Sequence, residues 1–308
     1  MSEFVLNTPV AFIIFNRPDT TERVFKEIAR AKPSKLLVIG DGPRVNRAGE
    51  AEKVTATRAI INQVDWDCEV IINYSDVNLG CKRRVSSGID WVFEQVEEAI
   101  ILEDDCLPHP TFFRFCQELL NKYRLDQRIS LISGFNLQSK NQKKDESYYF
   151  SRYSGIWGWA TWRNRWHDSY DIDMQNWPLV RNSGWLEDIL GSATEARNWT
   201  RSFEMAYTGR VDTWDYQWVF GWWLQNRLGI TPVVNLISNI GYGVDATHTS
   251  HSGSALANLP IEEITFPLKH PDYMIRNFMA DKMTFNYALN KKLLHRIGNL
   301  LSRFINFP

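Results

Sequence analysis

From residue 10 to residue 132 the chain alternates short apolar runs with segments whose apolar residues recur at helical spacing, a pattern that specifies parallel βαβ units. The runs fall at 10–15, 36–39, 70–73, 99–102 and 129–132, and they read as strands covered on both faces. Between them, Asp19 and Glu22 have the spacing of a capping box before a helix with Val24, Phe25 and Ile28 on one face. Val85, Ile89, Trp91, Val92 and Val96 mark a second helix, and residues 111–123 a third. The expected fold class is α/β: a mostly parallel central sheet of Rossmann-like type with flanking helices.

The fourth run, Ala99-Ile100-Ile101-Leu102, ends abruptly in Glu103-Asp104-Asp105. In a parallel sheet the carboxyl ends of the strands share one edge, and ligands bind beyond it. Adjacent carboxylates there are hard oxygen donors suited to Mn²⁺ or Mg²⁺, which keep several positions for water and substrate phosphate. Other polar groups collect at the same edge: Asn16 and Arg17 after the first run, Asp41 after the second, Asn78 to Lys82 and then Arg83 after the third. Arg17 and Lys82 suit a diphosphate, and Asp41 suits a base or ribose. Asp41-Gly42-Pro43 is equally good turn punctuation. No Gly-rich dinucleotide fingerprint or Walker lysine loop follows the first run, which argues against an oxidoreductase or an ATPase.

The 308 residues carry 35 basic against 36 acidic side chains, so broad nucleic-acid binding has no electrostatic support. Cys68, Cys81, Cys106 and Cys116 form no CxxC pair or zinc spacing, and a reducing cytoplasm is the expected setting. No run of about 18 apolar residues suggests a membrane span, and no leader-like start suggests export.

Residues 151–223 hold eleven of the thirteen tryptophans, among them Trp157, Trp159, Trp162, Trp166, Trp214, Trp218, Trp222 and Trp223. Such a cluster builds an aromatic core or lines a ligand groove, and core is the first expectation. Within Thr213-Trp214-Asp215-Tyr216-Gln217-Trp218 one acid stands between tryptophans. Asp215, partly shielded from water there, suits general base work; the competing role is a helix N-cap.

Strand-Asn-Arg, strand-Asp-Gly, strand with Glu-Asp-Asp, then Trp-Asp-x-x-Trp: in this order the motifs resemble the GT-A glycosyltransferases, particularly the inverting N-acetylglucosaminyltransferase I type, over about residues 8–255. The resemblance implies a nucleotide-diphosphate-sugar donor, UDP-N-acetylglucosamine foremost. It puts Arg17 and Asp41 on the nucleotide, Asp104 and Asp105 at the metal and ribose, and Asp215 in place as catalytic base. In that family the last acid of the triplet is the direct metal ligand, here Asp105. The division it suggests is a nucleotide-sugar half at 1–135, a Trp-rich acceptor half at 136–255 and a helical extension at 256–308. A nucleotidyltransferase and a non-catalytic carbohydrate-binding protein are the alternatives. The first should show a basic, Gly-rich loop after strand one, and the second has no need of the acid triplet and Asp215 together.

An apolar strand is expected at 233–237, followed by a Gly- and Ser-rich stretch at 238–253 that reads as a lid over the donor. His248 within it is a candidate for metal or phosphate, or simply a solvated side chain. After Asp281 the sequence has no acidic residue, while Leu293, Leu294, Ile297, Leu300, Leu301 and Phe304 recur at helical spacing among basic residues. That stripe suits an anionic membrane surface, and so a lipid-linked glycan acceptor at the inner face, or packing on the protein's own core or a second subunit.

Overall fold

The computed structural model describes residues 4–138, 145–242 and 257–287. Its centre is an eight-stranded sheet in the order β3-β2-β1-β4-β8-β6-β9-β7. The strands are β1 (Val10–Ile14), β2 (Lys35–Gly40), β3 (Glu69–Tyr74), β4 (Glu98–Glu103), β6 (Ile129–Ser133), β7 (Tyr148–Ser151), β8 (Trp159–Trp162) and β9 (Leu228–Pro232). A two-stranded ribbon pairs β5 (Cys106–Pro108) with β10 (Ile237–Asn239). β1 to β4 are parallel neighbours. β8 runs antiparallel to both β4 and β6, so β6 and its parallel partner β9 point the same way as β4. Six strands therefore deliver their carboxyl ends to one edge, and β7 closes the far side antiparallel to β9.

The helices are α1 (Pro18–Ala31), α2 (Glu50–Ala59), α3 (Gly80–Gln95), α4 (Thr111–Tyr123), α5 (Arg163–Ser169), α6 (Trp177–Val180), α7 (Trp185–Leu190), α8 (Ala193–Tyr207) and α9 (Asp215–Leu224). Because strand side chains alternate between faces, β1 feeds two cores. Val10, Phe12 and Ile14 meet Val24, Phe25 and Ile28 of α1 and the phenylalanines of α4. Ala11 and Ile13 meet α3 and the tryptophan cluster on the other face. The aromatic segment is mainly core, as its composition suggested: Trp159, Trp162, Trp166, Trp177, Trp214, Trp218, Trp222 and Trp223 are all buried. Trp214 stacks on Trp159 at 5.7 Å, and Trp166 on Tyr170 at 4.0 Å. Among the described residues no helix is long and apolar enough to cross a membrane.

Several local expectations are corrected. The Asp19–Glu22 capping box does not form. The helix starts at Pro18, whose fixed φ and missing N–H suit the first helical turn, and Glu22 instead pairs with Lys26 one turn on. The run at 233–237 is not one strand: β9 ends at Pro232, and the chain turns before β10 pairs with β5. The 129–132 run, by contrast, is a strand of the same sheet as expected, with β8 lying between it and β4.

Gly221, inside α9, lies against the Ser169 carbonyl with no room for a Cβ. Gly221→Ala is expected to cost roughly 3 kcal/mol through backbone overlap, read as a lower denaturant midpoint at constant m.

Candidate active site

The acid triplet leaves β4 at the shared edge, directly beside the end of β1. Arg17, just before α1, bridges it: Nη2 lies 2.5 Å from Asp104 Oδ1 and Nη1 lies 2.8 Å from Asp105 Oδ2. Asp104 also accepts the Phe15 N–H at 3.0 Å on Oδ2, so both of its oxygens serve to hold the β1 end. Burial works against the Arg17 charge, but Asp104, Asp105 and Glu103 outweigh it and bind the proton more tightly than usual. Burial raises the Glu103 pKa, Asp105 and Asp104 raise it further, and Arg17 offsets only part. Asp104 is likewise pushed up by burial against the pull of Arg17. One guanidinium thus faces more negative charge than it can balance.

Across from these acids stands Asp215, the first residue of α9. Its N-cap is Trp214, so Asp215 does not cap the helix. Oδ1 accepts from the Thr213 hydroxyl and from the Tyr216 N–H, which fixes the carboxylate. Asp215, Arg17, Glu103 and Asp105 line one cleft of about 280 Å³, with Trp157, Tyr216 and Asn239 among its other walls. Trp157 is half-buried and stands edge-on to Tyr242 at 6.1 Å, presenting an aromatic wall. A larger cavity of about 830 Å³ opens between α3, α5 and α9, but none of the strand-end acids lines it. Convergent charged groups, not size, make the smaller cleft the candidate site.

The β10 segment closes the cleft from behind. Ile240 donates its N–H to the Asp105 carbonyl at 2.8 Å, and Gly241 donates to Asn239 Oδ1 at 3.0 Å. A Cβ on Gly241 would overlap both the Asp105 carboxylate and the Arg17 guanidinium. Gly241→Ala is expected to displace that pair and weaken ligand binding in the cleft by about tenfold or more, with a smaller change in Tm. A calorimetric titration beside a thermal melt checks this.

Other candidates take structural posts. Asp41 is buried and clamps a turn: Oδ1 accepts from Gly42 N and Leu79 N at 2.9 Å, and Oδ2 from Asn78 Nδ2 at 3.0 Å and Gly80 N at 3.1 Å. Its carboxylate holds the 78–80 turn at the strand edge where a base or ribose contact was expected. Asn78 is tied up in the same clamp, also donating to the Gly42 carbonyl at 2.9 Å. Asp41→Ala is expected to cost about 3 kcal/mol of stability, because several backbone donors lose a charged acceptor; chemical denaturation measures it. Asn16 donates to Glu50 at 2.9 Å and belongs to the Arg44–Glu50 pair instead of the cleft. Lys82 is not a cleft wall. Its backbone N–H and that of Cys81 donate to Asp212 at 3.0 and 3.1 Å, so a carboxylate of the chain itself sits on the N-terminus of α3. Gly80, at φ 78°, allows this approach. His248 and most of the 238–253 stretch lie outside the described residues, as does the sequence after 287.

Asp212 was missed from sequence, whereas Trp157 belongs to the tryptophan cluster and Asn239 and Gly241 to the 238–253 stretch named there. Asp212 had a signal, since it stands three residues before Asp215; the placement of Asn239 and Gly241 beside Asp105 follows once β10 pairs with β5.

Among the described residues no three His, Cys, Asp or Glu side chains converge into a metal cage. The donors present fit a different mode, in which one carboxylate holds Mn²⁺ or Mg²⁺ and diphosphate and water complete the shell. Asp105 and Glu103 both border the cleft, and Arg17 lies on Asp105 Oδ2, so Asp105 is the acid of the triplet placed to hold a cation beside a diphosphate.

No protein-family model matches the chain, and no curated protein matches it. Among solved structures it is similar to a UDP-glucose pyrophosphorylase complexed with UDP-glucose, at 9% identity over 73% of this chain and 90% of that one, with a TM-score of 0.35. Mouse xyloside xylosyltransferase 1 aligns at 9% identity over 71% and 82%, with a TM-score of 0.34. The 4-diphosphocytidyl-2C-methyl-D-erythritol synthase of Anaerococcus prevotii DSM 20548 aligns at 10% identity over 64% and 83%, with a TM-score of 0.31. Likeness at this level carries no functional weight, and the reading below rests on the cleft.

Proposed function

We propose that the chain is a GT-A glycosyltransferase that moves a sugar from a nucleoside-diphosphate donor, UDP-linked first, to a hydroxyl of a glycan or lipid-linked glycan. The observation that carries this reading is the pairing, across one cleft at the carboxyl edge of the sheet, of the Arg17–Asp105 cluster with the fixed carboxylate of Asp215. A transferase needs two such poles, one for the departing diphosphate and one for the attacking hydroxyl.

Asp215 takes the proton of the acceptor hydroxyl as its oxygen bonds to the anomeric carbon and the bond from that carbon to phosphate breaks. A single displacement from the opposite face inverts configuration and requires no second carboxylate as nucleophile. Arg17 lies where it can meet charge on the leaving diphosphate, and the wall of Trp157, Ile156 and Trp214 keeps water from the reacting carbon. A divalent cation held by Asp105 would act as a Lewis acid on the same oxygens. The reading is tested by incubating the protein with UDP-sugars and measuring UDP release with and without acceptor glycans; no release above background from any donor would refute it.

A further inference from the structure

The start of α3 takes its caps from far away in the chain. Its N-cap residue is Leu79, which has no side-chain oxygen to offer. Two distant carboxylates divide the first four N–H groups between them. Asp41, just past β2, accepts from Leu79 at 2.9 Å and from Gly80 at 3.1 Å. Asp212, in the loop that leads to α9, accepts from Cys81 on Oδ2 at 3.1 Å and from Lys82 on Oδ1 at 3.0 Å. A helix start is ordinarily stabilised by one Ser, Thr, Asp or Asn at the N-cap itself. Here it joins the strand edge to the α9 loop, and Asp212 stands 131 positions from Cys81.

Val211 and the run from Thr213 to Tyr216 are walls of the cleft, whereas Asp212 between them is not, because its side chain is turned to α3. The wall that carries Asp215 is thereby pinned one residue before Thr213, whose hydroxyl donates to Asp215 Oδ1. The far end of the tether is a wall too, since Cys81 borders the same cleft as Glu103. Gly80 makes room for the contact: it has φ 78°, and a Cβ there would stand 2.9 Å from Asp212 Oδ2. Asp212 itself is exposed to water, so its worth to stability is that of an ordinary cap. What it fixes is the separation between the Cys81 side of the cleft and Asp215. A misplacement of about 1 Å at a reacting group can cost about 100-fold in rate.

We propose that Asp212 is a positioning residue for sugar transfer: by gripping the start of α3 it holds the Asp215 wall, and so the base, at the distance the acceptor hydroxyl needs. The inference rests on the transferase reading. It is tested by steady-state kinetics of UDP release with acceptor, beside calorimetric titration with UDP and thermal melts. Asp212→Ala is expected to lower kcat by about 30-fold. Donor KM and UDP affinity should stay within about twofold of the wild type, with Tm lower by about 2–4 °C as for a lost cap. Asp212→Asn keeps an amide oxygen to accept from α3, and its kcat should return to within about fivefold of the wild type. In the Asp215→Asn background the loss of Asp212 should cost no further kcat, because no base remains to be misplaced; a merely structural role would lower both backgrounds alike. The proposal is overturned if Asp212→Ala keeps normal kcat, if its loss lies in KM or UDP affinity, if Asp212→Asn is no better than Asp212→Ala, or if both backgrounds lose equally. A wild type that transfers no sugar would remove the transferase reading and this role with it, whereas normal transfer by wild type and Asp212→Ala together would remove this role alone.

Discussion

Asp215→Asn is expected to reduce sugar transfer by about 10²–10⁴-fold while leaving nucleotide affinity and Tm unchanged. The amide keeps an oxygen to accept from the Thr213 hydroxyl and the Tyr216 N–H, so the start of α9 retains its shape. What it loses is the ability to take a proton. Steady-state kinetics with saturating donor would place the loss in kcat, because the acceptor hydroxyl must be deprotonated as it attacks. Normal turnover by this variant would remove Asp215 from the role of base. The aromatic packing makes the substitution clean: Trp214 and Trp218 on either side are buried in the core and hold α9 whether or not the carboxylate is present.

The second large effect is expected from Asp105→Ala. The backbone at this position stays anchored by the Ile240 N–H, and Arg17 retains its 2.5 Å contact with Asp104, so the fold persists. The cleft loses its candidate cation ligand and half of the Arg17 clamp. Nucleotide affinity in the presence of Mn²⁺ is expected to fall by about 100-fold, or roughly 3 kcal/mol, and chelation should then cause no further loss. The wild type, by contrast, should fall to the variant's affinity when the cation is chelated. A variant that still binds nucleotide in a cation-dependent way would move the cation elsewhere along the edge.

The sheet around β1 to β4 was legible because each strand is a continuous apolar run with a polar break, and period and length suffice to recognise it. The burial of the tryptophans was legible for the same reason, since large rings in such number have nowhere to go but inside. Strand order was not. β8 slips between β4 and β6 through pairings that depend on where distant backbone ends up, and Trp159–Trp162 reads locally as part of an aromatic cluster, not as a strand. Asp105 and Asp215, 110 residues apart in the chain, reach the same cleft, yet their companions divided unexpectedly. Asp41, Asn78 and Asn16 looked like ligand contacts because polar residues at strand ends often are. In the structure Asp41 and Asn78 hold the turn before α3 and Asn16 donates to Glu50, roles that depend on backbone N–H groups and side chains brought in from elsewhere in the chain. Asp212 shows the converse: an ordinary acid in sequence, it gains its place only when the loop before α9 folds onto the start of α3.

The measurement that tests the central claim most directly is calorimetric titration of the wild type with UDP, GDP and CMP, each in Mn²⁺ and again with chelator. Selective binding of a nucleoside diphosphate, UDP first, that requires the cation is the expected result and would justify a screen of its sugars. Absence of binding by all three nucleotides under both conditions would contradict the donor site and leave the Trp157 wall as part of a sugar-binding surface without turnover.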